Sequence, residues 1–353
     1  MKILIVKLSS IGDVVHTLPS LFALRKSFEA HDARSRIDWL VEEGASGILK
    51  DNPMIDNLIV VKRRGWLKDL SGNIKALKRI RSVGYDIVLD FQGLLKSGVW
   101  VWLSAGKRKI GFSNAREGSS VFLNEKPTAY NPEMHAVDRY LELAGHAAGG
   151  AFKGGAIFPL GISDKERSQA LQKLGTGSGD KGFFLVISRA RWPTKLWDDE
   201  KFAMLAKAVY KECGLVPVLV GGAADRASLD GINAMAGGMA LNLAGRLGLK
   251  DLAAIAGLAR FTVSVDSGPM HIAAAAGSRV VAIFGPTAPR RTGPYGTGHV
   301  VVRKEMECSP CFKKSCSHVS CMAGVGVEEV FDAILGILKA NKGKAGSTER
   351  IFY

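Results

Sequence analysis

The stretch FTVSVDSGPMHIAAAAGSRVVAIFGPT, residues 261–287, leaves little freedom in how it can fold. Residues 261–265 are short, apolar and β-branched, as a strand buried in a parallel sheet should be. Asp266 and Ser267 follow as N-cap residue types, and Pro269 suits a first helical turn. The alanine-rich run 270–276 reads as a helix with Gly277 as its C′ glycine, and 280–284 reads as the next strand. The turn also carries chemistry. A helix N-terminus offers unpaired N–H groups and partial positive charge, which together bind phosphate. Gly268 lets an anion approach the backbone closely, and His271, one turn in, can add a donor. The same residues also fit an ordinary capped strand–helix unit with a packed histidine, so the rest of the chain has to decide.

Upstream, the pattern repeats. Strands are expected at 2–7, 37–41, 57–61, 86–89 and 109–112, separated by helical patterns, notably 70–83. Pro19 should break a helix running on from Asp13, which predicts a single turn at 13–16 and a helix proper over 18–28. A helix at 135–144 closes this half. Residues 145–180 are rich in glycine, with a short helix at 164–174, and mark a domain boundary. A second set follows: strand 182–187, helix 199–213, strand 215–220, helix 250–259, the opening stretch, strand 299–302 and helix 326–339. Residues 340–353 read as a loose tail. Strands alternating with helices predict an α/β chain with two doubly wound parallel sheets. The expected division is 1–160, a linker at 161–180, 181–325, and a C-terminal helix and tail at 326–353.

The chain carries 48 Lys+Arg against 33 Asp+Glu, a net charge of +15. Such a balance calls for an acidic partner. Its basic runs, Lys62-Arg63-Arg64, KALKRIR at 75–81 and Lys107-Arg108-Lys109, all fall in the first half. No nucleic-acid module accompanies them and aromatic residues are not interleaved, so no nucleic acid is expected as partner. No apolar run approaches the ~18 residues of a membrane span, and the start reads as a strand, not a signal segment. A cytoplasmic protein, peripheral at most on an anionic membrane surface, is the expectation.

Ligands of such sheets bind at the carboxyl ends of the strands. Asp13, Glu42, Glu43 and Asp90 follow strands of the first half, and Lys195, Gly221 and Asp266 follow strands of the second. VKLSSIGDVVHTLPSL near the start and SVDSGPMHIAAAAGSRVVAIFGPT near the end together resemble the lipopolysaccharide heptosyltransferases of glycosyltransferase family 9. The resemblance spans both halves. It implies the GT-B fold, two facing Rossmann-like domains, the first binding the acceptor and the second the nucleotide sugar. It implies inverting, metal-independent transfer of a heptose from ADP-heptose to the acidic inner core on lipid A (Kdo-lipid A or heptosyl-Kdo-lipid A), with no cofactor. By the same resemblance Asp13 is the catalytic residue, and Lys195, Leu247, Asp266, Ser267, Gly268 and His271 bind the donor. Ser10, Lys62, Arg63, Arg64 and Arg116 are placed on the acceptor. A carboxylate gripping the donor ribose is expected after Gly222, where Asp225 and Arg226 stand. The start of the chain resembles enzymes adding the first heptose, and the cysteine segment those adding the second.

The chemistry agrees. One in-line displacement needs one base for the acceptor hydroxyl, and a carboxylate in a turn after a strand can serve. Asp13 has a rival reading as a helix cap, and Glu42 and Glu43 are rival bases. His16 is expected to be a packed histidine. The leaving diphosphate needs fixed positive partners, which Lys195 and the Ser267-Gly268 helix terminus supply. CSPCFKKSCSHVSC holds Cys308, Cys311, Cys316 and Cys321 in a C-x2-C-x4-C-x4-C spacing. In a cytoplasmic chain this suits metal or redox chemistry more than disulfides; a structural metal and a reduced loop both remain open, and no metal is assigned to catalysis. Cys213 is expected in the core. A nucleotide-sugar epimerase of the same fold and a basic nucleic-acid-binding protein are the alternatives.

Overall fold

The apolar runs of the first half close into one parallel sheet. The computed structural model describes residues 1–30, 35–62, 69–127, 129–152, 154–175 and 182–342, in two compact units, one built on Met1–Gly161 and one beginning at Ile162. In the first unit, β1 (Lys2–Val6), β2 (Arg36–Glu42), β3 (Asn57–Val61), β4 (Ile87–Asp90) and β5 (Arg108–Gly111) are ordered β3-β2-β1-β4-β5. All neighbours are parallel. Its longer helices are α1 (Ile11–Glu29), α2 (Leu70–Val83), α3 (Leu95–Leu103) and α4 (Ala136–Ala148).

Successive strand residues point to opposite faces, and both faces are covered. Leu4, Val6, Leu40 and Val88 meet Ala76 and Ile80 of α2 and Trp100 and Val101 of α3 in one apolar cluster. Helix α1 packs against α4. The end of β5 is held by Glu125, whose carboxylate accepts from Arg108 Nε and Nη2 at 2.8 and 2.7 Å and lies 2.7 Å from His146 Nε2. These partners, Arg108 first, hold the Glu125 carboxyl down at about 2.

The second unit has β6 (Phe183–Ile187), β7 (Val216–Leu219), β8 (Leu241–Asn242), β9 (Thr262–Val265), β10 (Val280–Phe284) and β11 (Val300–Arg303), all parallel, ordered β11-β10-β9-β6-β7-β8. Counted from β6, this is the 3-2-1-4-5-6 order of nucleotide-binding doubly wound sheets. Helices α5 (Asp164–Leu174), α6 (Asp199–Cys213), α7 (Arg226–Met235), α8 (Leu249–Leu258), α9 (Gly268–Ala275) and α10 (Val327–Lys342) cover it. Helix α5 joins this unit by packing on α8, with Lys173 Nζ 2.5 Å from Asp251 Oδ2. Phe184, Trp197, Phe202, Val263 and Ile283 lie in its core.

The α/β class with two parallel sheets is the one expected from the sequence. Pro19 is the clearest departure, because α1 runs through it unbroken. Proline removes one helical hydrogen bond and costs roughly 3 kcal/mol. Val14, Val15, Leu18, Leu21, Leu24 and Phe28 are all buried along α1, and that burial offsets the loss. Helix α7 and the short β8 were not anticipated, α3 fills a gap between strands that was expected to be helical, α4 runs to Ala148, and α10 continues through Ala340 to Lys342. The remainder of the expected tail, 343–353, lies outside the described residues.

Candidate active site

In the second unit the strand order reverses between β6 and β9, and a doubly wound sheet binds ligands at the carboxyl side of that reversal. The loop after β6 brings Lys195 there in a short 3-10 turn, Pro193–Lys195. Its Nζ lies 2.6 Å from Asp266 Oδ2, the residue after β9, and Thr287 Oγ1 donates to the same oxygen at 2.6 Å. The ammonium also sits over the Trp192 ring, 4.6 Å from its centroid, and Lys314 Nζ lies 5.4 Å from the same centroid. Ser267 is the extended N-cap of α9 and makes no side-chain cap hydrogen bond, while Gly268 and Pro269 open the helix. A helix N-terminus leaves first-turn amides without helical partners, which can meet an anion. His271 is buried one turn further in. Lys195, Asp266, Ser267 and Gly268 are thus brought together at one switch point.

Leu247 is half-buried in the loop between β8 and α8. That loop is drawn onto the one after β7 at Gly245, which has φ +72° and where a Cβ would stand 2.8 Å from Ala223 Cα. Asp225 Oδ2 accepts from Gly222 N at 2.8 Å, and Arg226 donates to Ala244 O at 2.6 Å. The residues foreseen for the ribose therefore shape the turn after β7.

In the first unit the reversal lies between β1 and β4. Gln92, after β4, accepts through Oε1 from Leu8 N and Ser9 N at 3.1 and 3.0 Å, joining the two loops. Asp13 occupies the third position of α1, and Ser10 is the N-cap. Both rival readings of Asp13 thus meet in one side chain, with its two oxygens divided. Oδ2 accepts from Ser10 N at 3.0 Å and Ser10 Oγ at 2.8 Å, as the acidic partner of a capping box does. Oδ1 faces Tyr140 Oη, a long 3.4 Å away, and Lys7 Nζ at 3.9 Å. The side chain is 37% exposed.

Lys7 is fully buried and donates to Phe91 O at 2.8 Å and Tyr140 Oη at 2.7 Å. Burial pulls its ammonium below the usual lysine range, and Asp13 and Asp90 oppose that pull. Tyr140 is pushed well above the usual phenol range by burial and then by the Asp13 charge. Its hydroxyl therefore stays protonated, bridging Lys7 and Asp13. Neither residue was foreseen. Lys7 carried a signal, a cation ending a buried strand, whereas Tyr140 lies far along the chain with no local motif.

Of the other carboxylates that follow strands, Asp90 and Glu42 are already engaged, whereas Glu43 is exposed at the start of the short helix Glu43–Ser46. Asp90 is buried and accepts from Gln92 N, Gly93 N and Ser97 Oγ at 2.9, 3.1 and 3.0 Å, and burial raises its carboxyl. Glu42 lies 2.6 Å from Lys96 Nζ. His16 is buried and packs edge-on against His135 at 5.2 Å, as a packed histidine should. Arg116 is exposed, and its amide donates to Gly93 O at 3.0 Å, which ties its loop to the turn after β4. Lys62 is exposed, 3.6 Å from Asp69 Oδ2. Arg63 and Arg64 lie outside the described residues.

The cysteine segment packs on the loop after β10. A Cβ at Gly285 would meet Met322 Sδ at 2.5 Å and Cys321 Sγ at 3.0 Å. Among the described residues no three His, Cys, Asp or Glu side chains converge as metal ligands. All five cysteines are free thiols, Cys321 buried and Cys308 exposed. Cys213 is half-buried at the end of α6 and packs on the core edge.

Residues 74–321 match the family model of glycosyltransferase family 9 (heptosyltransferase). The chain is 32% identical over 334 residues to lipopolysaccharide heptosyltransferase 1 of Pseudomonas aeruginosa, covering 90% of this chain and 88% of that protein. Its fold is similar to E. coli heptosyltransferase WaaC with ADP, at a TM-score of 0.77 and 26% identity, covering 96% of this chain and 100% of that one. The same enzyme with ADP-2-deoxy-2-fluoro heptose superposes at 0.75 with 25% identity, covering 97% and 100% of the two chains.

Proposed function

The chain belongs to glycosyltransferase family 9, and on that premise we propose that it transfers a heptose from ADP-heptose to the acidic inner core on lipid A. It is a glycosyltransferase of the GT-B class. The observation that carries the reading is the meeting of Lys195, Asp266 and the α9 N-terminus at the β6–β9 switch point. A cation and a helix terminus side by side suit a diphosphate leaving group. Relatives solved with ADP and with an ADP-heptose analogue support the nucleotide.

Transfer is inverting and takes place in one displacement. The acceptor oxygen attacks the anomeric carbon as the bond from that carbon to the diphosphate oxygen breaks, and the hydroxyl proton passes to Asp13. Lys7, directly and through Tyr140, faces the Asp13 oxygen Oδ1. Lys195 and the first amides of α9 receive the charge growing on ADP, with Ser267, Gly268 and His271 lining the phosphates and Leu247 against the adenosine. Ser10, Lys62, Arg63, Arg64 and Arg116 hold the acidic acceptor, which is Kdo-lipid A or heptosyl-Kdo-lipid A. The enzyme works from the cytoplasm, peripheral on the anionic membrane that carries this acceptor; no helix of the described residues is long and apolar enough to cross it.

The test is a donor screen against truncated core acceptors, with each product identified by mass. A product heavier by one heptose, formed from ADP-heptose only when acceptor is present, is the expected result. Turnover of the nucleotide sugar without acceptor would replace this reading with an epimerase.

A further inference from the structure

The outer surface of α2 and α3 has no role in the chemistry above, yet its composition is unusual. Leu70, Ile74, Leu95, Trp102 and Val121 are all exposed there, Trp102 by 58% and Val121 by 72%. Leu70 and Ile74 are one turn apart on α2, and Leu95 and Trp102 two turns apart on α3, so each pair shares a helix face. Val121, in the 3-10 turn Ser119–Phe122, packs beside α3, where the Trp102 and Phe122 rings lie 6.4 Å apart. Scattered single apolar residues are ordinary on a surface; five on one helical layer are a patch.

The same surface is cationic. Helix α2 exposes Lys75, Lys78, Arg79 and Arg81 and contains no acidic residue. Of the acids bordering the layer, Asp69 is paired with Lys62 and Asp86 with Lys107 and the backbone amide of Lys2, while Glu117 accepts from the amide of Leu95. Large apolar side chains beside a helix whose charged residues are all basic suit the interface of an anionic bilayer. Topology gives the patch a bearing on the site. Helix α2 begins after the carboxyl end of β3 and α3 after that of β4, the edge of the sheet from which Asp13 also projects. Strand β3 is two places from β1, about 10 Å at the usual strand spacing.

We propose that this face docks on the anionic bilayer. Leu70, Ile74, Leu95, Trp102 and Val121 enter the headgroup region, and Lys75, Lys78 and Arg81 meet lipid phosphates. The contact presents a lipid-anchored acceptor to the edge that holds Asp13; that last step rests on the functional reading above, whereas the docking itself does not.

The experiment is sedimentation of the full chain with vesicles of phosphatidylglycerol and phosphatidylcholine, against phosphatidylcholine alone, with neither donor nor acceptor added. Wild type should bind only the anionic vesicles, and most of that binding, though not all, should come off as salt rises. Each basic residue near such a surface adds roughly fivefold to affinity, so the K75E/K78E/R81E chain should bind at least about a hundredfold more weakly. Leu70→Glu with Trp102→Glu should abolish the salt-resistant remainder. The charge-reversed chain should transfer normally to a water-soluble core acceptor lacking acyl chains and poorly to acceptor embedded in vesicles. Equal binding of wild type to neutral vesicles, unchanged binding of the variants, or equally tight binding to soluble polyglutamate would each overturn the docking face. Intact vesicle binding with no heptose transfer to any acceptor would instead sink the catalytic reading and leave the face standing.

Discussion

Lys195 Nζ lies 2.6 Å from Asp266 Oδ2, and both side chains are largely buried. A carboxylate beside a diphosphate site would repel its ligand if it faced it alone. Its oxygen is instead spent on Lys195 and Thr287, which makes Asp266 a positioning residue acting through the lysine. Hydrogen bonds to charged groups are worth about 1.5–3 kcal/mol, or roughly ten- to a hundredfold in affinity. Asp266→Asn should therefore weaken ADP binding on that scale, and Lys195→Ala by at least as much, measured by calorimetry. ADP affinity unchanged in Asp266→Asn would mean that the pair only braces the fold.

Glu125 predicts a pH dependence of stability in the first unit. Its folded carboxyl sits at about 2, below the unfolded value near 4.5. A depressed carboxylate contributes stability above its unfolded value and loses it as pH falls toward the folded one. Glu125 is 30% exposed, so solvent screening makes the contribution modest. Glu125→Gln should lower the thermal midpoint at pH 7, and the gap to wild type should narrow from pH 5 downward. A gap constant from pH 7 to pH 3 would rule the charge out as its source.

Every strand but the two-residue β8 was legible because each is a short apolar run between turn residues, and β3, α2, α5, α6 and β10 to within a residue. The site motifs were legible for the same reason: Ser10 to Asp13 and Asp266 to His271 are contiguous, and backbone geometry fixes what they can do. What stayed hidden was made by tertiary contact. Pro19 argued locally for a break that burial of α1 overrides. Tyr140 reaches Asp13 only because α4 packs on α1. Lys195 could be matched by its neighbours in sequence, but its partnership with Asp266 depends on β6 pairing with β9.

Arg116 offers a test of the acceptor side. Its backbone is anchored to Gly93 while its side chain is exposed, so Arg116→Ala should leave the fold intact. A guanidinium grips carboxylates and phosphates in a bidentate way that an ammonium cannot. Arg116→Ala should raise the acceptor KM about tenfold or more with ADP affinity unchanged, and Arg116→Lys should recover only part. Equal loss of donor binding would remove Arg116 from the acceptor role.

Charge at the donor site gives a metal prediction. On the proposed reading Lys195 and the α9 terminus supply the fixed positive charge for the diphosphate, so steady-state turnover should persist in excess chelator. A collapse of kcat restored by one divalent metal would oppose it. Loss of thermal stability alone on chelation, with about one equivalent of zinc or iron released, would trace instead to Cys308, Cys311, Cys316 and Cys321.

The division of labour within Asp13 gives the sharpest test. One oxygen caps α1 through Ser10, while the other faces Tyr140 and Lys7. Asp13→Asn keeps shape and retains an oxygen that can accept the Ser10 hydrogen bonds, but an amide cannot take a proton. Loss of a positioned base costs ~10²–10⁴ in rate. Asp13→Asn should therefore fold with a near-native melting point, bind ADP normally, and lose kcat on that scale at saturating donor and acceptor. Asp13→Ala removes the cap as well and should cost about 1 kcal/mol of stability in addition. A folded Asp13→Asn protein with kcat within about threefold of wild type would leave Asp13 as a cap only. The base would then have to be sought at Glu42, Glu43 or Asp90, with Asp90 disfavoured by its burial, Glu42 by its pairing with Lys96, and Glu43 exposed.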